Sequence, residues 1–371
     1  MKTIIFYLFL LFLPLTCLAR DLKGLVLDET TMEPVAGVNI FLSGTMIGGT
    51  TDNSGKYSIT VRNIVYTQLI VSYVGYEIVV IDNPFEFLPD TIFLKEKDFM
   101  LEEVVVTGKS TFSEEQKWRA FREQFLGMTE AGHSCIILNE GDIRLGYDPE
   151  TRKLHAYSDE IIVIENKYLG YKINWSFEAF FIKLGFKKSL SPENVDSVSI
   201  AGMAYFEDLH PNEELYSKRR NDTYLLSKNR FFKLLTESNI KDSDITLTRN
   251  VQVDKPLSQE KFFTITEEQT DESIHNVIIN PEVQDRNGTT AIRVYIRKKY
   301  SNRSSIAMNP LAKMSLRVND YLSIFFFSTD FFNVDLYGNT NLSNEQFIVS
   351  GEIANNRIGD QLPFDYLPPD K

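Results

Sequence analysis

The 371 residues carry 39 lysines and arginines against 51 aspartates and glutamates, a formal net charge of −12. That balance argues against nucleic acid as a partner, because such binding draws on a basic footprint. With 43% hydrophobic residues the chain can bury cores of its own, and its length suits two or three domains.

The first nineteen residues read as a secretory signal. Lys2 supplies the positive start, Ile4 to Leu15 an apolar run, and Cys17 and Ala19 the small residues before a cut at Ala19-Arg20. The run is shorter than the roughly 20 apolar residues a membrane span requires. Acylation at Cys17 is the alternative, but Pro14, Leu15 and Thr16 depart from the usual acylation pattern. Removal of residues 1–19 takes away Lys2, so the net charge moves from −12 to −13, and leaves Cys135 without a disulfide partner. No later segment reaches membrane length, since Ile324-Phe325-Phe326-Phe327 runs at once into Ser328-Thr329-Asp330. The mature chain is expected to be exported, soluble or peripheral, and periplasmic or associated with an outer membrane.

Residues 20–109 show short strands punctuated by turns. Val26, Val38, Ile40 and Leu42 mark apolar faces, and Leu69, Val71 and Tyr73 alternate with Ile70 and Ser72. Asp52-Asn53-Ser54-Gly55 is a turn sequence, and Pro34 and Gly37 bracket another. About seven strands in so short a stretch predict a β-sandwich. The segments Gly24-Leu25-Val26-Leu27-Asp28, Glu33 to Ile40, Gly49 to Ile59, Ser72 to Tyr76 and Leu101 to Gly108 give this region a specific skeleton. It resembles the carboxypeptidase-regulatory-like domain, a transthyretin-like (prealbumin-like, Ig-like) sandwich that Bacteroidetes place ahead of TonB-dependent transporters. The resemblance implies a folding and docking module without chemistry of its own. After residue 109, 371 − 109 = 262 residues remain. A plug with a barrel of about 22 strands, each of about 10 residues, would not fit in them, so a full transporter is not expected.

Residues 110–371 are expected to form a mixed, β-rich α+β domain, making the whole chain mainly β with some α. Ser113 and Gln116 have capping-box spacing, Trp118, Phe121, Phe125 and Leu126 share one face, and Gly127 closes the helix. Strands are predicted at 134–138, 142–147, 153–157, 161–165, 168–174 and 177–184. A helical stretch is predicted from Glu213 to about Leu235, with Arg219, Arg220, Lys228 and Arg230 set among aromatic and apolar residues. Strand character returns after Ile245, where Ile292, Val294 and Ile296 share a face opposite Arg293, Tyr295 and Arg297. Phrases such as Phe125-Leu126-Gly127, Leu169-Gly170-Tyr171 and Arg357 to Tyr366 resemble an uncharacterised secreted Bacteroidetes family with the same N-terminal module, which implies an architecture and no activity.

Few residues invite a chemical reading. His210 and Glu213 have the His-x-x-Glu spacing that can aim two ligands at zinc. A zinc carboxypeptidase also needs a second histidine, and His275 lies in a polar stretch without the expected surroundings. The pair reads instead as a helix start, with Pro211 in its first position. Cys135 could be a nucleophile beside His133 or His155, but Ile136, Ile137 and Leu138 suggest a core thiol. Asp159-Glu160 and Glu267-Glu268 are adjacent on strands and cannot converge as a dyad. Arg297-Lys298-Lys299 reads as a charged edge, with an anion patch as the alternative. No catalytic, cofactor-binding or metal site is expected. The reading is a non-enzymatic envelope protein that binds a protein or glycan partner. A hydrolase with dispersed site residues is the alternative.

Overall fold

The computed structural model describes residues 20–97, 111–249, 257–267, 274–285, 288–297, 320–343 and 345–369. Three hydrophobic cores organise them. The β-branched run Val104-Val105-Val106, whose sequence predicts a closing strand of the sandwich, and the Lys298-Lys299 edge lie outside the described residues.

The first core is the predicted sandwich. Seven strands build it: β1 (Arg20–Asp28), β2 (Asn39–Leu42), β3 (Gly48–Thr50), β4 (Lys56–Val61), β5 (Leu69–Ser72), β6 (Val79–Ile81) and β7 (Thr91–Leu94). They form two sheets, ordered β4-β1-β7 and β3-β2-β5-β6, with β1 and β7 parallel. Leu22, Val26, Ile40, Leu42, Ile59, Val71 and Ile92 meet between them. Asp52 holds its turn by accepting from the Ser54 and Lys56 amides. The alternation expected at 69–73 is not matched by exposure, because Ile70 and Ser72 are buried along with Leu69 and Val71. The outer face of this sheet is covered by the next unit.

The second core packs a helix on a six-stranded sheet. Helix α1 (Glu114–Phe125) carries the predicted capping box: Ser113 accepts from the Gln116 amide, and Gln116 accepts from that of Ser113. Phe121 and Phe125 stack at 5.0 Å and reach Trp175 and Phe180. A short helix α2 (Glu130–His133) leads into β8 (Cys135–Ile137), β9 (Arg144–Asp148), β10 (Lys153–Tyr157), β11 (Ile162–Asn166), β12 (Tyr171–Leu184) and β13 (Val195–Asp208). The strands predicted over 134–184 read as a β-meander, and the structure corrects this: the order is β8-β11-β12-β10-β9 with β13 beside β12, so β8 does not pair with β9 nor β10 with β11, and the last two predicted strands are a single strand, β12. A bulge between Phe177 and Ala179 lets β12 continue. Buried residues fall at 171, 173 and 175 before it and at 180, 182 and 184 after it. The extra residue therefore changes the phase of the pleat and keeps both halves facing the core.

The third core begins with helices α3 (Glu214–Tyr224) and α4 (Lys228–Thr236). The predicted helical stretch breaks at Ser227, whose hydroxyl caps α4 by accepting from the Arg230 amide. The predicted start at Pro211 is also corrected. Asn212 takes a φ of +71°, so the chain turns before α3 begins at Glu214. Eight-residue strands β17 (Thr290–Arg297) and β18 (Asp320–Phe327) dominate the sheet β14-β17-β18-β20, where β14 is Ile245–Thr248 and β20 Phe347–Gly351. A second sheet joins β15 (Phe263–Glu267), β16 (His275–Ile279) and β19 (Phe331–Val334). Phe231, Phe232, Phe325, Phe327 and Phe332 fill the space between helices and sheets.

Candidate functional site

The segment after β20 ties the three cores together. Ile353 lies in the third core, while Ile358 and Leu362 pack in or on the second. Gly359 donates to the Leu126 carbonyl at 2.9 Å and accepts from the Asn166 amide side chain at 2.9 Å. Phe364 then donates to the Gly44 carbonyl at 2.7 Å, and Asp365 accepts from the Met46 amide at 3.1 Å. Gly44 sits at φ +76°, with the Phe364 ring 2.6 Å from where a Cβ would be. This loop of the sandwich also meets β13: the Gly44 amide donates to Ala204 O and the Phe206 amide to Thr45 O. Thr45 and Tyr205 form a parallel bridge.

A second contact joins the sandwich to the third core. Asp335 is 1% exposed and accepts from the amides of Tyr66, Tyr337 and Asn339 and from the Asn339 side chain. Burial pushes its carboxyl up to about 6 in spite of those donors. Asp365 is raised for the same reason.

The outer faces of the sandwich sheet and of β12 and β13 line a cleft of about 330 Å³. From the sandwich come Asn39, Phe41, Thr50, Ile70 and Ser72. From β12 and β13 come Asn174, Ser176, Met203, Tyr205 and Glu207, whose alternate neighbours Ile173, Trp175, Ala204 and Phe206 are buried in the second core. The walls meet where Phe41 and Tyr205 pack with ring centroids 5.2 Å apart. Farther out, Lys97 Nζ donates to the Asp159 carbonyl at 3.2 Å, beside Ile161 of the lining.

Glu207 is the one carboxylate among the described residues lining the cleft. Burial alone would raise it, but hydrogen bonds from Lys172 and Asn174, at 2.9 and 2.8 Å, and the Lys172 charge hold it below the ordinary glutamate value. It is an occupied anion. Burial raises the Tyr205 hydroxyl, and the Glu207 charge adds to the shift. The polar groups on the sandwich wall are the neutral side chains Asn39, Thr50 and Ser72. With Glu207 already bonded to Lys172 and Asn174, these neutral side chains suit hydrogen bonding to a ligand.

The residues singled out from sequence do not line this cleft. His210 and Glu213 do meet, Nδ1 to Oε1 at 2.9 Å, and the imidazole stacks on Tyr216 at 4.2 Å. His275 begins β16 opposite Glu267 in a sheet of the third core. Among the described residues no group of three or more histidines, cysteines and acids is placed to hold a metal. Cys135 packs against the second core and its Sγ contacts the Ala131 carbonyl at 3.3 Å. Burial, with the Asp360 charge behind it, pushes this thiol up to about 12. His155 lies on β10 near Phe181, and His133 ends α2. Asp159 pairs with Arg144 at 3.4 Å. The cleft residues Asn174, Ser176, Tyr205 and Glu207 were missed. The alternation Ala204, Phe206 inward against Tyr205, Glu207 outward was the available signal, but β13 was not among the predicted strands.

Residues 22–106, which run from within β1 through β7 of the sandwich, match the family described as CarboxypepD_reg-like domain. The sandwich is a carboxypeptidase-regulatory-like domain. No curated protein matches the chain. The regulatory-like domain is a docking-type β-sandwich, compatible with a non-enzymatic role. Here its β3-β2-β5 face forms one wall of the cleft and its Gly44 and Tyr66 loops make both clamps. Among the described residues no helix is long and apolar enough to cross a membrane.

Proposed function

We propose that the chain is an exported, non-enzymatic cell-envelope protein that holds a protein or glycan partner between its regulatory-like domain and its six-stranded sheet. One observation carries this reading: the cleft is built jointly by the two units and presents neutral hydrogen-bonding side chains around a carboxylate already neutralised by Lys172. Such a mainly apolar recess with a few placed polar groups is the usual form of a binding site, and its volume is at the small end of that range. Export is supported by Lys2, the apolar run to Leu15 and Ala19.

Calorimetric titration with neutral oligosaccharides and short uncharged peptides tests the binding reading. Saturable heat is expected with one of the two, removed by Asn174→Arg, which fills the cleft, without a change in thermal stability. A ligand that binds Asn174→Arg as well as the parent overturns the cleft assignment. Mass spectrometry of the native N-terminus tests export; a chain beginning at Met1 overturns it.

A further inference from the structure

The loop joining β12 and β13 carries Phe186, 95% accessible and the most exposed large apolar side chain among the described residues. Lys187 and Lys188 follow it, both exposed. Arg152, in the neighbouring β9–β10 turn, lays its guanidinium 4.4 Å from the Phe186 ring centroid. Its Nη1 is buried and has no hydrogen-bond partner among the described residues. Lys153 sits over the Phe181 ring at 4.1 Å, and Lys153 faces Lys183 in register across the strands.

Asp148, Glu150, Glu193 and Asp196 lie at the same end, against the cations Arg152, Lys153, Lys183, Lys187 and Lys188. Asp148 accepts from the Glu150 amide and the Thr151 hydroxyl, both within its own turn. Asp196 faces Lys183 at 3.6 Å. Glu193 is held below the ordinary glutamate value by hydrogen bonds from its own backbone and from Ser191, with Lys187 contributing charge. Among the described residues neither Lys187, Lys188 nor Arg152 is in an ion pair. At physiological salt, charges farther than about 8 Å are largely screened. Five cations against four acids leave the tip with a balance of 5 − 4 = +1, carried at its apex by Lys187 and Lys188 beside Phe186, and the net −12 of the whole chain is felt weakly there.

An exposed ring flanked by cations matches one kind of surface in particular. The ring enters the boundary between headgroups and acyl chains, while the cations stay with the phosphates. We propose that this end of the six-stranded sheet docks the protein reversibly on an anionic lipid surface, with Phe186 inserted and Lys187, Lys188 and Arg152 set on lipid phosphates. The site is separate from the cleft, and neither assignment depends on the other.

Co-sedimentation of the mature chain with vesicles tests this, using phosphatidylcholine and phosphatidylglycerol in equal parts against phosphatidylcholine alone. Binding to the mixed vesicles is expected, weakened about fivefold by each of Lys187→Ala and Lys188→Ala. Phe186→Ser should abolish it, and Asn174→Arg should leave it unchanged. A Phe186→Trp variant should gain blue-shifted emission on the mixed vesicles, relative to the parent. The proposal is overturned by equal binding to both vesicle types, or by binding that the three tip substitutions do not alter. Inhibition by inorganic phosphate beyond that of sodium chloride at equal ionic strength also overturns it, because that marks a discrete phosphate site. A Phe186→Trp blue shift seen only with a protein partner does the same.

Discussion

Gly44 is the residue on which the first clamp turns. Its φ of +76° costs an L-residue about 1–2 kcal/mol by itself. A Cβ would also meet the Phe364 ring at 2.6 Å, displacing the Phe364 and Ala204 hydrogen bonds to this residue. Gly44→Ala should therefore lower stability by roughly 2–4 kcal/mol, read by chemical denaturation. At the second clamp the sign of the pH effect follows from burial. Asp335 binds its proton more tightly when folded, at about 6 against an ordinary 3.8, so ionisation opposes folding. Its contribution to stability is greatest at low pH and falls as pH rises from about 4 through about 6. The difference in melting temperature between parent and Asp335→Asn should narrow over that interval; a difference that widens or stays constant contradicts the assignment. His210 needs a different test. Because it is taken up by Glu213 and Tyr216, purified protein should carry no stoichiometric zinc. Elemental analysis showing one zinc per chain, lost in His210→Ala, overturns that expectation.

At the scale of elements, β12 shows why a strand can be visible in sequence while its continuity is not. Phe177 pairs with Gly202 and Ala179 with Ala201, so Glu178 is the residue without an opposite number. Deleting Glu178 removes the extra residue and leaves Trp175 and Phe180 four positions apart, in phase on a regular pleat, so the second core should still form, seen as retention of the near-ultraviolet signal from Trp118 and Trp175. Glu178→Ala should change stability by less than about 0.5 kcal/mol, since the side chain is exposed. Periodicity reads the two halves of β12 correctly but takes a change of phase for a turn. Helix α1 was legible because its cap, its apolar stripe and Gly127 all lie within fifteen positions of one another. The burial of Ile70 and Ser72 was not, because it comes from contact with β12 and β13, more than a hundred residues away in the chain. The candidate cleft was hidden for the same reason. Its two walls are ordinary polar strand faces until the fold brings them together.

For the whole molecule, the segment from Arg357 to Tyr366 does what no single core can. It touches Leu126 and Asn166 in the second core, Asn339 in the third and Gly44 and Met46 in the sandwich. Truncation before Arg357 should leave the sandwich intact and loosen its attachment. Calorimetry should then resolve separate transitions where the full chain shows greater cooperativity, and limited proteolysis should cut around Met46; an unchanged melting profile would show that the clamp is dispensable. The Asn174→Arg and Phe186→Ser variants act on surfaces away from this segment and should retain the parent profile.

The position of that segment in the chain sets an order of events during biogenesis. Residues 357–366 come after every strand and helix of the three cores, so they are the last of these parts to be synthesised. The sandwich can form while later residues are still being made, since its strands are contained in the first quarter of the chain. Part of its grip on the other two units, Phe364 on Gly44 and Asp365 on Met46, must wait for that segment, while the contacts to Ala204, Phe206 and Asp335 do not. A chain cut short before that point keeps a folded head held through Ala204, Phe206 and Asp335, without the hydrogen bonds from Phe364 and Asp365.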